Sequence, residues 1–307
     1  MSFLTEQKKT DTAIARLIAS GEKTIVREYA VALKSIRRQL AAAYDKYTDM
    51  TYSEMAKYNR LANLEKGIFK EVNKLSGKNA VKLKAAIGDT YTQSYYRTAF
   101  NIEKEAQARL GFGQLNPNTI KKAVENPLDR VGFLQRNRAN QELLKRQLSS
   151  ELTQGLIKGE SYPQISRRIK ERMDVGATNV QRIVQTECHR VQTQGRLDSL
   201  EHAHNEGVVM GYRWVSTLDM ATRDMHQDMD GVEADVVDGR PEFTLPDGTV
   251  AEGPGMTGIA EHDINCRCTV IGYVKDYEPT VRRAREMGTV PAGLNYEGYA
   301  KLKGWEY

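Results

Sequence analysis

The chain has 307 residues, 45 basic against 40 acidic, for a formal net charge of +5 and a pI near 8.9. With 40% hydrophobic and only 7% aromatic residues, the composition suits a helical protein of about two domains with a modest core, and it excludes a disordered or low-complexity chain. The basic excess admits an anionic partner such as nucleic acid, and no stretch approaches the roughly 20 apolar residues of a membrane span. Three cysteines cannot all pair within the chain, and Met1 to Thr10 is polar without an apolar leader run, so synthesis in a reducing cytoplasm is expected.

The first 110 residues are written in helical periodicity. Val26, Tyr29, Leu33, Ile36, Leu40, Ala43 and Tyr47 follow at alternating steps of three and four, one stripe on one helix. Arg37 and Arg38 fall between seam positions and are expected to face solvent. A second helix carries Met55, Tyr58, Leu61, Ile68, Val72 and Leu75. After Ser76-Gly77 a third is expected from Lys78 to Leu110, interrupted near Gly88. One seam per helix suits antiparallel packing within the chain, and equally the contacts of a partner helix.

A loop-rich joint follows over 111–133, where Gly111, Gly113, Pro117, Pro127 and Gly132 preclude a long helix. The domain boundary is placed there. Leu134 to Ile157 reads as a helix, and Ser161 before Pro163 is a start signal for a short basic helix ending near Met173. Arg167, Arg168, Lys170 and Arg172 on it are the candidate contacts to the phosphates of double-stranded DNA, with a solvated surface as the alternative. Ala177 to Glu206 is the next helix, with Thr186-Glu187 at its centre and Gly207 as its stop. Beyond it the pattern changes to strands at 208–215, 243–245 and 269–274, separated by the turn pairs Asp230-Gly231, Asp238-Gly239 and Asp247-Gly248. The fold expected is mainly α with a small β-rich part resting on the long helix.

Every cysteine and histidine lies between Cys188 and Cys268, so thiol, metal or imidazole chemistry belongs to this second half. Cys266 and Cys268, two apart on an extended segment, point to one side while Arg267 points to the other. With His226 and His262 they compose a possible Cys₂His₂ set for a structural zinc, whose four protein ligands would leave no open position. Free buried thiols or a redox-sensitive pair are the alternatives. Cys188 reads as a small core residue, and His189, His202 and His204 as solvated. Glu187, Asp219, Arg223 and His226 could compose an acid–base site on a phosphate or glycosidic bond. The alternative is that Asp219 and Arg223 fix a loop as an ion pair. Gly253-Pro254-Gly255-Met256-Thr257-Gly258 fits the dinucleotide spacing, but it follows no strand and opens no helix, so it reads as a loop. The tail, 276–307, combines Arg282, Arg283 and Arg285 with Tyr296, Tyr299, Trp305 and Tyr307, the composition of an interface anchor or of a segment packed on its own domain.

Thr186-Glu187 on a helix, Gly211 and Trp214 on a strand, the run Asp219, Thr222-Arg223, His226, Asp230-Gly231 and the closing Asn265-Cys266-Arg267-Cys268 resemble, in that order, the phage head morphogenesis family, the minor head proteins similar to the F protein of phage Mu. The resemblance covers 134–275. Relatives often carry His-Pro directly before the Asn, whereas here Asp263 and Ile264 separate His262 from Asn265. The resemblance implies a helical N-terminal region joined to an α+β head-morphogenesis domain. It further implies a non-enzymatic minor capsid protein that meets the portal protein and other head proteins in the procapsid, assists head assembly and DNA packaging or ejection, and resides in the virion, inside the capsid near the portal. The reading from another class is a phage-encoded transferase or nuclease using Glu187, Asp219, Arg223 and His226.

Overall fold

The computed structural model describes residues 3–47, 51–106, 108–126, 128, 131–274, 281–284 and 288–291, with the single positions 294, 298 and 301. The aromatic and arginine positions Arg285, Tyr296, Tyr299, Trp305 and Tyr307 of the tail lie outside the described residues. Helices dominate: α1 (Phe3–Lys46), α2 (Tyr52–Ala56) with a 3₁₀ turn (Lys57–Asn59), α3 (Arg60–Ala106), α4 (Pro117–Glu125), α5 (Phe133–Ile157) and α6 (Tyr162–Asn205). Short elements follow: β1 (Met210–Val215), α7 (Asp224–Asp228), β2 (Asp235–Val237), β3 (Arg240–Thr244), β4 (Val250–Ala251), α8 (Ala260–Asp263), β5 (Thr269–Val274), β6 (Val281–Ala284) and β7 (Gly288–Pro291). The mainly α architecture with a small β part is as expected. None of the described helices is long and apolar enough to cross a membrane.

Two compact units emerge, each assembled from separate stretches: 1–18, 86–130 and 185–307 form one, and 19–85 with 131–184 form the other. Three long helices thus contribute a segment to each unit, whereas the sequence reading divided the chain serially around 111–133. That joint itself contains α4, started by Asn116, whose side chain accepts from the Asn118 N–H, with Pro117 in the first turn.

In the unit made of 19–85 and 131–184 the core is a set of helical stripes. On α1 the buried positions are Ile25, Tyr29, Ala32, Ile36, Leu40 and Ala43, while Val26 is 43% exposed, so the expected seam is right in period but begins one residue earlier. Arg37 is half-buried, its Nη2 donating to the Ser166 carbonyl; Arg38 is exposed as expected. The break expected at Ser76-Gly77 is absent. α3 runs through it because the stripe Ile68, Val72, Leu75, Leu83 is buried on both sides of the pair, and Asn137 Nδ2 donates to the Ser76 carbonyl and hydroxyl. Gln164 reaches back over the helix start, its Oε1 accepting from both the Ser161 N–H and the Ser161 hydroxyl at 2.8 Å. The helix that starts there does not stop near Met173 but continues through Gly176 as α6. A Cβ at Gly176 would sit 3.0 Å from the Tyr29 ring. Glycine admits that ring, and Asn140, bonded to the Tyr29 hydroxyl at 3.0 Å and the Gly176 carbonyl at 3.1 Å, ties the crossing. Burial raises the Tyr29 hydroxyl pKa well above its ordinary value.

In the other unit α3 and α6 cross closely at Gly195, where a Cβ would lie 2.6 Å from the Tyr91 carbonyl oxygen. Tyr91 donates to Asp198 at 2.6 Å and Ser94 to the Gln192 carbonyl at 2.6 Å. Arg196, 1% exposed, pairs with Asp11 and donates to the Val270 carbonyl at 2.7 Å. The strands do rest on the long helix: Leu197, Leu200 and Ala203 share a core with Tyr212, Trp214, Phe243 and Val270. β1 and β5 pair antiparallel from Met210↔Val274 to Val215↔Thr269, β2, β3 and β4 form a second small sheet, and β6 pairs with β7. All three Asp-Gly pairs turn with a positive φ on glycine. At Asp238-Gly239 both residues are positive, the two-residue hairpin geometry that joins β2 to β3.

Candidate metal centre

The β1–β5 register decides what meets. Because Val215 pairs with Thr269, the loop leaving β1 and the segment entering β5 lie at one end of the ladder. The first carries His226 on α7; the second is Cys266-Arg267-Cys268. Asp230 Oδ1 accepts from the Ser216 N–H at 2.8 Å, Ser216 Oγ donates to the His226 carbonyl, and Gly231 N–H returns to the Trp214 carbonyl at 2.9 Å. His226 is therefore folded back over the sheet end, edge-on to the fully buried Trp214 ring at 5.5 Å. Asn265 sits in the left-handed region at φ +57°, a conformation that asparagine tolerates better than other side chains, and there it turns the chain into the Cys-Arg-Cys segment.

His226 Nδ1 lies 3.7 Å from Cys266 Sγ and 3.7 Å from Cys268 Sγ, and the three atoms fall within 4.8 Å of one another. All three residues are buried. Tetrahedral zinc with ordinary Zn–S and Zn–N bonds would separate such N and S atoms by roughly 3.6 Å, so the group can hold a metal ion with little movement. In the metal-free pair, the hydrogen bond from Cys266, helped by His226, holds the Cys268 thiol well below its ordinary range despite burial. The same bond, with burial, holds Cys266 up. Metal ligation requires thiolates, so an ion bound here would displace the thiol protons.

His262, the fourth expected ligand, is 2% exposed on α8. Its ring stacks on His226 at 5.6 Å and 14°, and its Nε2 contacts Asp247 Oδ2 at 3.0 Å. Sequence reasoning took Asp247 only as a turn residue. It also missed Asp263, 0% exposed, whose Oδ1 accepts from the Thr257 N–H and hydroxyl and whose Oδ2 accepts from the Gly258 N–H. A buried carboxylate that organises a glycine-rich loop has no periodicity or motif to announce it.

The other motif residues brace this end of the unit. Asp219 pairs with Arg267, not with Arg223 as the ion-pair reading had it. Burial opposes ionisation of Asp219, but the Arg267 hydrogen bond and charge, with the Ala221 N–H and Thr222, hold its carboxyl below the usual value. Arg223 Nη2 donates to the Ile264 carbonyl at 2.5 Å, and Thr217 Oγ1 to the Arg267 carbonyl at 2.7 Å. Thr186 Oγ1 accepts from the Asn265 N–H at 3.5 Å, and Glu187 is buried beside Arg190 Nε at 2.9 Å. Glu187, Asp219, Arg223 and His226 therefore each have a structural partner at this end of the unit.

Cys188 is buried as expected. The three helix histidines are not simply solvated. His202 Nε2 meets the Leu110 carbonyl at 2.8 Å, His204 packs where a Cβ on Gly239 would lie, and burial lowers the pKa of His189. Of the four basic candidates on α6, Arg168 pairs with Glu151 and Glu160, Arg172 with Glu151 and Lys170 with Asp174, while Arg167 is exposed.

Residues 146–271 match the family described as Phage Mu protein F like protein. The chain is 32% identical to the Minor head protein GP7 of Bacillus phage SPP1 over 308 aligned positions, 98% of this chain and 96% of that one. It is 28% identical to the NAD(+)--arginine ADP-ribosyltransferase EFV of Enterococcus faecalis (strain ATCC 700802 / V583), matching over 88% of this chain but only 54% of that protein's length. No solved structure matches. A likeness of 32% identity that spans nearly all of both chains makes this protein a member of the phage head morphogenesis family of minor head proteins.

Proposed function

We propose that the protein is a minor capsid component that binds the portal in the procapsid, assembles in the host cytoplasm, and remains in the virion near the portal, where it assists DNA packaging or delivery. The observation that carries this reading is the near end-to-end correspondence with a minor head protein of almost equal length. The site supports a structural role: its motif residues are spent on closing two loops over a sheet end. In this reading His226, Cys266 and Cys268 hold a structural zinc ion. DNA contact is weak and electrostatic, because the acidic partners of Arg168, Lys170 and Arg172 offset most of the charge of the basic face. Co-expression with the portal protein of the same phage tests the proposal. Co-sedimentation of the two as one complex is expected, and separate sedimentation at all concentrations opposes it.

One finding favours a second reading, since a relative carries the name of an arginine ADP-ribosyltransferase. This chain spans about half of that protein, and each of the four residues has a structural partner: Arg190 for Glu187, Arg267 for Asp219, the Ile264 carbonyl for Arg223 and the two cysteines for His226. Incubation with labelled NAD⁺ and an arginine acceptor is expected to give no transfer; transfer abolished by Glu187→Gln in a folded protein would establish the enzyme.

A further inference from the structure

We infer that His262 completes the metal centre as its fourth ligand, through Nδ1, and that Asp247 is the outer carboxylate that orients it. The inference rests on the zinc reading above. Three observations support it. Asp247 Oδ2 lies 3.0 Å from His262 Nε2, and a carboxylate only accepts, so the neutral ring carries its proton on Nε2 and leaves the Nδ1 lone pair for an ion. That Nδ1 is buried with no hydrogen-bond partner among the described residues, on a residue 2% exposed; buried polar atoms are nearly always satisfied, and a metal ion would satisfy this one. The His262 ring lies nearly parallel to that of His226, 5.6 Å between centroids, so it neighbours one member of the ligand group.

Charge and positioning agree. Two thiolates and two neutral imidazoles around a divalent cation sum to zero, the one balance that burial of all four residues favours. The backbone beside His262 is fixed by the three hydrogen bonds of Asp263, whose carbonyl also accepts from the Cys266 N–H at 3.2 Å. His262 and the first cysteine are thereby held by one residue. His262 is outside the set of three donor atoms that lie within 4.8 Å of one another, so ligation draws its ring inward and the Asp247-Gly248 turn follows.

The test uses the full chain, reduced and stripped with a chelator, titrated with Co²⁺ and then competed with Zn²⁺. The wild type is expected to bind one Co²⁺ with the intense visible bands of a tetrahedral thiolate site. His262→Ala should weaken Zn²⁺ binding at least tenfold, consistent with loss of a ligand, and shift those bands. His262→Cys should restore affinity with a stronger sulfur-to-metal charge-transfer band, which a merely structural histidine would not produce. Asp247→Asn should weaken Zn²⁺ by about 10–100-fold with the bands unmoved. If the wild type binds metal and His262→Ala leaves affinity and spectrum unchanged, the fourth ligand is refuted while the three-residue zinc site stands. If the wild type binds no metal, both are refuted.

Discussion

Replacing Asp263 by asparagine changes one atom of a residue with no solvent exposure. The carboxylate accepts three hydrogen bonds, from the Thr257 N–H at 3.1 Å, the Thr257 hydroxyl at 2.9 Å and the Gly258 N–H at 3.0 Å. An asparagine that keeps its oxygen toward Thr257 turns its NH₂ toward the Gly258 N–H, so two donors face each other. Hydrogen bonds to a charged acceptor are worth about 1.5–3 kcal/mol, and an orphaned buried donor costs about 1–3 kcal/mol. Removing the charge also lowers the cost of burying the group, which offsets part of the loss. The net expectation is a loss of roughly 2–3 kcal/mol, or about 4–12 °C in Tm for a cooperative unit of 150–250 residues. Scanning calorimetry of the metal-free wild type and Asp263→Asn measures it. Thr257→Val removes the hydroxyl that donates to Asp263 and accepts from the Ile259 N–H at 3.0 Å, and should cost about 1–2 kcal/mol while leaving both N–H bonds to the carboxylate in place. An Asp263→Asn midpoint within a degree of wild type would refute the idea that this carboxylate organises the loop.

Glycine-to-alanine changes on two long helices should differ in sign. At Gly77 a Cβ meets nothing within 4 Å, so urea denaturation should show a gain of about 0.5–1 kcal/mol; at Gly195 the Cβ would lie 2.6 Å from a backbone oxygen, and a net loss of about 1–2 kcal/mol is expected. Asn265→Ala, at φ +57°, should cost about 1 kcal/mol, whereas Asn265→Gly should be tolerated; equal denaturation midpoints for the two would contradict the backbone assignment. The Asp219 carboxyl is held low in the folded state, so its stabilising contribution is complete above its unfolded pKa of about 3.9 and is lost as pH falls through the lower folded value. Asp219→Asn should therefore be less stable than wild type at neutral pH, by no more than about 1 kcal/mol since Arg267 is well exposed, and the two melting curves should converge below about pH 4.

Helical periodicity made most of the fold legible, and the three Asp-Gly pairs placed the turns. What it could not convey was continuity. Ser76-Gly77 and Gly176 look like helix breaks, yet apolar stripes on either side, and Asn137 and Asn140 bonding across, keep α3 and α6 intact. Tertiary packing also decided the first seam, which begins at Ile25 in place of Val26. At the site, the alternation of Cys266 and Cys268 with Arg267 between them was legible from strand geometry, and their meeting with His226 follows from the strand register. The pairing of Asp219 with Arg267 was not legible, because the partners are 48 residues apart and Arg223 is nearer in sequence. The basic run on α6 was legible as charge, but its neutralisation by Glu151 and Glu160 depends on how α5 lies against α6.

A minor head protein must be present, at low copy number, in the particles it helps to build. Purified procapsids and virions of the phage that encodes it, quantified by mass spectrometry against the portal protein, test that most directly. A few copies per particle are expected in both; absence of the protein from both would overturn its role as a head constituent and return weight to an enzymatic one.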